Sequence, residues 1–260
     1  MKKEKAKLPE SFTQGALLYE GKGKKVFAVR EDDEHLWFQF KDDLTAFNAQ
    51  KRGSFENKGS INREIASTIF RYLAKGGVKS HFVRDLGDRD MICTKLEMIP
   101  LEVVVRNRIA GSFAKKFDLP EGGEIPGGLV EFFYKSDALQ DPFVSDEQVL
   151  FLKAARNQRE IDTLKRLALR VNRKLVEFFL AIKIDLIDFK IELGRNRDGD
   201  VVLGDEITPD SCRLWDHQSG EKLDKDRFRR DLGGVAEGYQ EVLKRIREVW
   251  PAYSASGRNV

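Results

Sequence analysis

Between residues 15 and 40 apolar and polar positions alternate in three short runs, Ala16–Tyr19, Lys24–Arg30 and His35–Phe40. The runs are separated by Gly21-Lys22-Gly23 and Glu31–Glu34, and a period of two with turns this short predicts an antiparallel meander. The period then lengthens. Ile61, Ile65, Ile69 and Tyr72 share one face of a helix that Gly76-Gly77 stops. Strands return at Met91–Met98 and Leu101–Arg106, divided near Pro100. Residues 118–130 carry Pro120, Gly122, Gly123, Pro126, Gly127 and Gly128 and read as an exposed loop, either a boundary within the fold or a mobile flap. Ser145-Asp146-Glu147-Gln148 has the form of a capping box at a helix start. Ile161, Leu164, Ala168, Val171, Leu175 and Phe178 then trace the stripe of a long amphipathic helix. A hairpin follows over Ile184–Gly194 and Val201–Gly204. The chain closes with one helix carrying Phe228, Leu232, Val235, Tyr239, Val242, Ile246 and Trp250, ended by Pro251. A strand-rich first part and a mixed second part predict an α+β fold of two lobes, with a cleft between them suited to a ligand.

Composition narrows the class. A chain of 260 residues, 41% hydrophobic with 18 Phe, can bury a core without disulfides or structural metals. Cys93 and Cys212 belong to no CxxC or Cys/His cluster, which predicts a reducing compartment and no zinc site. No apolar run approaches the roughly 18 residues of a membrane span. Met1–Lys7 is basic but runs into Leu8-Pro9-Glu10, not an apolar signal core, so a cytoplasmic protein is expected. The net charge of +3, from 46 basic and 43 acidic residues, argues against a nucleic-acid coat protein but leaves room for a local positive pocket. His35, His81 and His217 have no metal spacing and read as surface or structural residues, Asp85 and Asp88 as solvated, and Arg227, Arg229 and Arg230 as a basic face. Neither a GxSxG elbow nor the HRD and DFG signatures of protein kinases are present.

The hairpin is the richest segment. Along Ile187–Leu193, alternation puts Asp188, Lys190 and Glu192 on one face and Ile187, Phe189, Ile191 and Leu193 towards the core. With Asp198-Gly199 as a two-residue turn, Arg197 pairs with Asp200 and Glu192 lies opposite Asp205. Two carboxylates facing each other across a ladder repel. They read either as a solvated polar face or as a Mg²⁺ site completed by nucleotide phosphates, with Glu206 and Asp210 adding acid nearby and Lys190 a positive charge. The register decides this, because a slip of one residue sends Asp205 to the other face.

Three segments are candidates for binding anions. Gly21-Lys22-Gly23-Lys24-Lys25 is a basic turn, either solvent-exposed or wrapped on phosphate; it lacks the spacing of a Walker A loop. Arg106-Asn107-Arg108-Ile109-Ala110-Gly111-Ser112, after the apolar Val103–Val105, suits guanidinium recognition of a carboxylate or phosphate, or a structural ion pair. Lys135, Asp137 and Asp141-Pro142 form a further polar cluster, in which Asp141 reads equally as a turn residue.

In order, GKGKK, FKDDLTAFN, KLEMIPLEVVVRNRIAGS, YKSDALQDP, DFKIELG, GDEITPDSCRLWD and DKDRFRRDLGG resemble the successive motifs of the SAICAR synthetase family, over about Leu17 to Tyr239. The resemblance implies a two-lobed fold related to ATP-grasp and kinase-like architectures. Residues 1–98 would form a nucleotide-binding lobe and residues 99–260 a substrate- and metal-binding lobe. It implies an ATP-dependent ligase of purine biosynthesis that joins L-aspartate to carboxyaminoimidazole ribonucleotide through an acyl phosphate, with Mg²⁺, as a homodimer or larger homo-oligomer. Lys22 and Lys24 would then contact ATP phosphates and Met98 would border the adenine. Glu192 and Asp205 would hold Mg²⁺, helped by Lys190 and Lys135. Arg106, Ser112 and Arg213 would bind the ribonucleotide's carboxylate and 5′-phosphate, and Asp141 and Asp210 would orient the imidazole or the ribose, or a second metal. Asp43 matches an acidic position of the family. Gly23 replaces a frequent Ala, and Asn48 stands where some relatives have Asp.

Overall fold

The computed structural model describes residues 11–46 and 50–254; Met1–Lys7 and Asn48 lie outside the described residues. In chain order the elements are β1 (Gln14–Glu20), β2 (Lys24–Val29), β3 (His35–Phe40), β4 (Asp43–Ala46), β5 (Lys51–Ser54), α1 (Lys58–Lys75), β6 (Phe82–Asp85) and β7 (Asp90–Thr94). There follow β8 (Glu97–Arg108), α2 (Gly111–Phe117), β9 (Glu124–Tyr134), β10 (Phe143–Val144), α3 (Asp146–Phe151) and α4 (Gln158–Ala181). The last are β11 (Ile184–Arg195), β12 (Val201–Gly204), β13 (Cys212–Asp216), α5 (Asp226–Arg229), α6 (Val235–Val249) and α7 (Pro251–Ser254).

The predicted meander, β1–β3, continues through β7 to β6 as one antiparallel sheet. Its inner residues, among them Phe38, Phe40, Met91 and Cys93, meet the apolar face of α1, where Ile65, Ile69, Phe70 and Leu73 are fully buried. Each such side chain contributes about 1.5–3 kcal/mol of transfer free energy. The second sheet has the order β10-β9-β8-β11-β12, with β13 also paired to β11. Helix α4 lies on β11, β8 and β9, and all six residues of its predicted stripe are buried. The α+β fold with two sheet-centred lobes is therefore present. The lobes are stitched together at β12, where Leu203 N–H donates to Lys79 O (3.2 Å) and Leu203 O accepts from His81 N–H (2.8 Å).

Four expectations are corrected. The break before β8 falls at Lys95-Leu96, and Pro100 sits inside the strand. It is tolerated because the register slips there: Met98 faces Gly194 while Glu102 faces Glu192, so a residue without N–H falls in an irregular stretch. The loop after α2 is only 118–123. Residues 124–130 are strand, with Gly127 and Gly128 at φ 80° and 81° absorbing the slip between Arg108↔Glu124 and Arg106↔Leu129. The terminal helix is two pieces, α5 and α6, because Gly233-Gly234 interrupts it; α6 ends before Pro251 as expected, and Pro251 opens the short α7. Asp85 is not solvated but buried between Arg63 (3.6 Å) and Arg71.

Candidate active site

The alternation in β11 places its charges as expected, since Ile187, Phe189, Ile191 and Leu193 are buried and Asp188, Lys190 and Glu192 share the opposite face. Asp188 lies in register with Arg106 of β8 and Arg213 of β13. Its carboxylate accepts from Arg106 Nη1 (3.1 Å) and from Arg213 Nη1 (2.8 Å). Arg106 Nε donates to Glu131 of β9 (2.5 Å), its Nη2 reaches Ser112 Oγ (3.5 Å), and its guanidinium lies over the Phe113 ring. On the far side Arg213 Nε donates to Asp226 (3.0 Å), which also accepts from Arg229 (2.6 Å). The result is an alternating row, Glu131–Arg106–Asp188–Arg213–Asp226–Arg229. Burial lowers the pKa of Arg213, but Asp188 and Asp226 outweigh it and hold the guanidinium above its usual range. Arg106, Ser112, Asp188, Lys190, Asp210 and Arg213 all line one cleft.

Farther along β11, Lys190 pairs with Glu102, and Lys135 Nζ donates to the buried Glu192 (2.5 Å). Burial opposes the charge on Lys190, yet Glu102, Glu192 and Glu206 hold its pKa above the usual lysine range. The expected carboxylate pair is not on the ladder. Glu192 faces Gly204, one residue off the expected register, because the turn is a longer loop closed by Asn196 N–H on Asp200 O (3.0 Å). Asp205 leaves the strand at φ 56°, and both it and Glu206 pair with Lys24 of β2. In this structure Lys24 and Lys135 stand beside the carboxylates of Asp205, Glu206 and Glu192.

His81 fixes this corner. Burial and then the charge of Lys24 push its pKa down to about 3. The ring is therefore neutral and donates Nε2–H to the Asp205 carbonyl (2.8 Å). Lys22 donates to Asp137 across the cleft (2.8 Å), so the basic turn reaches the second lobe while Lys22 itself stays exposed to solvent. Met98 is 43% exposed and lies against Gly204, where an added Cβ would come within 3.3 Å of its Cε.

Asp210 is engaged on all sides. It accepts from Lys58 Nζ (2.5 Å), Asn62 Nδ2 (2.8 Å) and Tyr239 OH (2.9 Å). Burial alone would raise its pKa; the charges of Lys58 and Lys225 and the bonds from Lys58 and Tyr239 bring it below the usual carboxylate range. Asp141 accepts from Ser136 N–H (2.8 Å) within its own loop, the turn role left open above, and Asp43 pairs with Lys41 (2.6 Å). The residues that sequence reading passed over are Lys58, Glu102, Glu131 and Asp226, and Arg229, expected on a basic face, instead pairs with Asp226 and lines the cleft. Glu102 and Glu131 were visible as lone acids in apolar strands, whereas Lys58 reaches Asp210, and Asp226 reaches Arg213, only through tertiary contacts.

A two-lobed α+β fold with a row of arginines beside a cluster of lysines in one cleft defines an enzyme for phosphorylated, anionic substrates. The family model of SAICAR synthetase matches residues 17–246. The phosphoribosylaminoimidazole-succinocarboxamide synthase of Campylobacter jejuni (strain 81-176) is 50% identical over 235 residues, spanning 90% of this chain and 99% of that protein. The crystal structure of the enzyme of the same name from Ehrlichia chaffeensis superimposes with a TM-score of 0.86 at 40% identity, covering 89% of this chain and 98% of that one. A SAICAR synthetase (Type-2) solved in complex with ADP gives 0.85 at 43% identity, covering 88% and 97%. The chain belongs to the SAICAR synthetase family, ATP-dependent ligases of purine biosynthesis.

Proposed function

We propose that this chain joins L-aspartate to the carboxylate of carboxyaminoimidazole ribonucleotide, with ATP split to ADP and phosphate. The observation that carries this reading is the pairing, on one face of β11, of an arginine row at Asp188 with a lysine cluster at Lys190 and Glu192. Residues 1–98 act as the nucleotide lobe and 99–260 as the substrate lobe; the first sheet ends at Thr94, close to that division. Lys22, Lys24 and Lys135 take the ATP phosphates and Met98 borders the adenine. Arg106, Ser112 and Arg213 take the ribonucleotide's 5′-phosphate and carboxylate.

The oxygen-only donors Glu192 and Asp205 fit Mg²⁺, which typically takes one or two carboxylates and fills its shell with phosphate oxygens and water. When bound there, the ion supplies charge neutralisation between nucleotide and carboxylate. The chain's own part is positional and electrostatic. A ribonucleotide carboxylate oxygen attacks the γ-phosphorus, the bond to the bridging oxygen breaks and ADP leaves. The aspartate nitrogen then attacks the acyl carbon, the bond to phosphate breaks, and the amine loses a proton. Lys190, with Lys135 beside Glu192, offsets the negative charge that gathers in the first step. Asp210, held by Lys58 and Tyr239, keeps the floor of the cleft rigid, and Asp141 braces the Lys135 loop. The reading includes a cytoplasmic location and an assembly of at least two subunits.

The test is ADP formation with ATP, Mg²⁺, carboxyaminoimidazole ribonucleotide and L-aspartate, omitting each in turn. Turnover that needs all of them, with a succinocarboxamide product, is expected. Turnover indifferent to L-aspartate would replace the ligase by a kinase or hydrolase.

A further inference from the structure

We infer that Lys225, with Arg229 beside it, forms the subsite for a carboxylate of the amine-donating substrate, L-aspartate, at the Asp210 end of the cleft. The inference rests on the ligase reading above.

Two ammonium groups share one carboxylate here. Lys58 is only 1% exposed and is committed to Asp210 at 2.5 Å. Lys225 is 15% exposed, and its one ion-pair partner among the described residues is the same Asp210, at 3.7 Å. That is beyond hydrogen-bond length, so its three donors are left for another acceptor. The backbone holds the residue in place, since Lys225 N–H donates to Pro209 O (3.1 Å), next to Asp210. Arg229 lines the cleft, remains 30% exposed, and makes its 2.6 Å bond to Asp226, which also serves Arg213. Arg229 is matched within the balanced row around Asp188, but Lys58 and Lys225 share the single carboxylate of Asp210.

The ammonium of Lys225 registers the shortfall. Burial lowers its pKa below the usual lysine range, and Arg229, Lys58 and Lys190 lower it further against the attraction of Asp210. An incoming carboxylate would offset the repulsion among these cations. Of the three anionic substrates, the ribonucleotide is assigned to Arg106, Ser112 and Arg213, and ATP to Lys22, Lys24 and Lys135. The amino acid is the one left without a cation, and this corner also adjoins Lys190, where the carboxylate is activated.

The experiment is steady-state kinetics of Lys225→Gln and Lys225→Arg, varying each substrate separately. A charge-assisted bond to a carboxylate predicts that Lys225→Gln raises KM for L-aspartate about ten- to a hundredfold. The KM values for ATP and ribonucleotide stay within about twofold of the native enzyme in the same assay. Lys225→Arg, which keeps the charge, recovers most of the loss. A rise of less than about threefold in folded Lys225→Gln, or an equal rise for all three substrates, overturns the subsite. A second measurement needs no variant: the native enzyme is lightly acetylated and Lys225 is followed by mass spectrometry. L-Aspartate should protect it where L-alanine at equal concentration does not, and equal labelling overturns the proposal. If native turnover does not require L-aspartate at all, it is the ligase reading that fails, and that control is run first.

Discussion

Replacing Asp188 by Asn tests the arginine row. The native row is balanced, with Glu131, Asp188 and Asp226 against Arg106, Arg213 and Arg229. The substitution leaves one surplus positive charge, and it turns one acceptor into an amide donor facing guanidinium donors. Removing one partner of a buried ion pair costs about 3–5 kcal/mol. Arg213 is partly exposed to the cleft, which places this case near the lower end, about 3 kcal/mol. For a chain of this size each kcal/mol lowers Tm by about 2–4 °C, so thermal unfolding should begin to fail about 6–12 °C earlier. The same surplus charge makes the variant a better anion binder. Inorganic phosphate should therefore raise its Tm by more than it raises that of the native protein, by linkage to the folded state. Both quantities come from thermal unfolding followed by circular dichroism, with and without phosphate. A loss of less than about 2 °C, or a phosphate effect no larger than the native one, would refute the claim that Asp188 is the central charge of a desolvated row.

Glu192→Gln should lower kcat at least about a hundredfold, because it removes charge where charge is rearranged. Tm should change little, since the orphaned Lys135 is 48% exposed and stays hydrated; a collapse of Tm instead would make Glu192 a structural residue. Burial, reinforced by the neighbouring Asp226, pushes Asp224 up to about 7. The folded state then keeps a proton that the unfolded chain releases near the ordinary carboxylate value, so this group's contribution to stability falls as pH rises from about 4 to about 7. Urea denaturation of native protein and Asp224→Asn across that range should show their difference changing in this sense, and a flat difference contradicts it. Ser145→Ala should cost about 1 kcal/mol, since Ser145 Oγ accepts from Gln148 N–H (3.3 Å) while Gln148 Oε1 accepts from Ser145 N–H (2.7 Å). A Tm within error of the native value would show that α3 does not depend on its cap.

Elements whose stabilisation is local or periodic were legible in the sequence. The stripe of α4, the strand alternation of β11 and the capping box of α3 each follow from residues within a turn or two. What failed depended on partners elsewhere. Pro100 looked like a break because the bulge in β8 that accommodates it exists only in pairing with β11, almost a hundred residues later. Gly127 and Gly128 looked like a loop because a glycine-bearing bulge and a flexible connection have the same composition. The hairpin register was misjudged by one residue because Asp198-Gly199 suggested the shortest turn, whereas Asn196 accepts from Asp198 N–H (3.1 Å) and Asp200 N–H (2.8 Å) and so builds a longer one.

The register error is informative about the site. Placing Glu192 opposite Asp205 made like-charge repulsion the problem and a cation its solution. The structure sends Asp205 out of the ladder and brings Lys24 across from the other sheet to meet it, together with Glu206. Lys135 meets Glu192, Lys190 meets Glu102 and Lys22 meets Asp137 in the same way. A cleft dense in cations would strain the fold if its charges stood alone, and these four lysines are each paired with a carboxylate. On the proposed roles, phosphate binding would be an exchange of partners for these lysines, not a new pairing. The net affinity at each is the difference between two ion pairs, which is why the acids of this cleft matter to binding as much as the bases do. Lys225, with its distant and shared partner, is the place where that exchange has least to break.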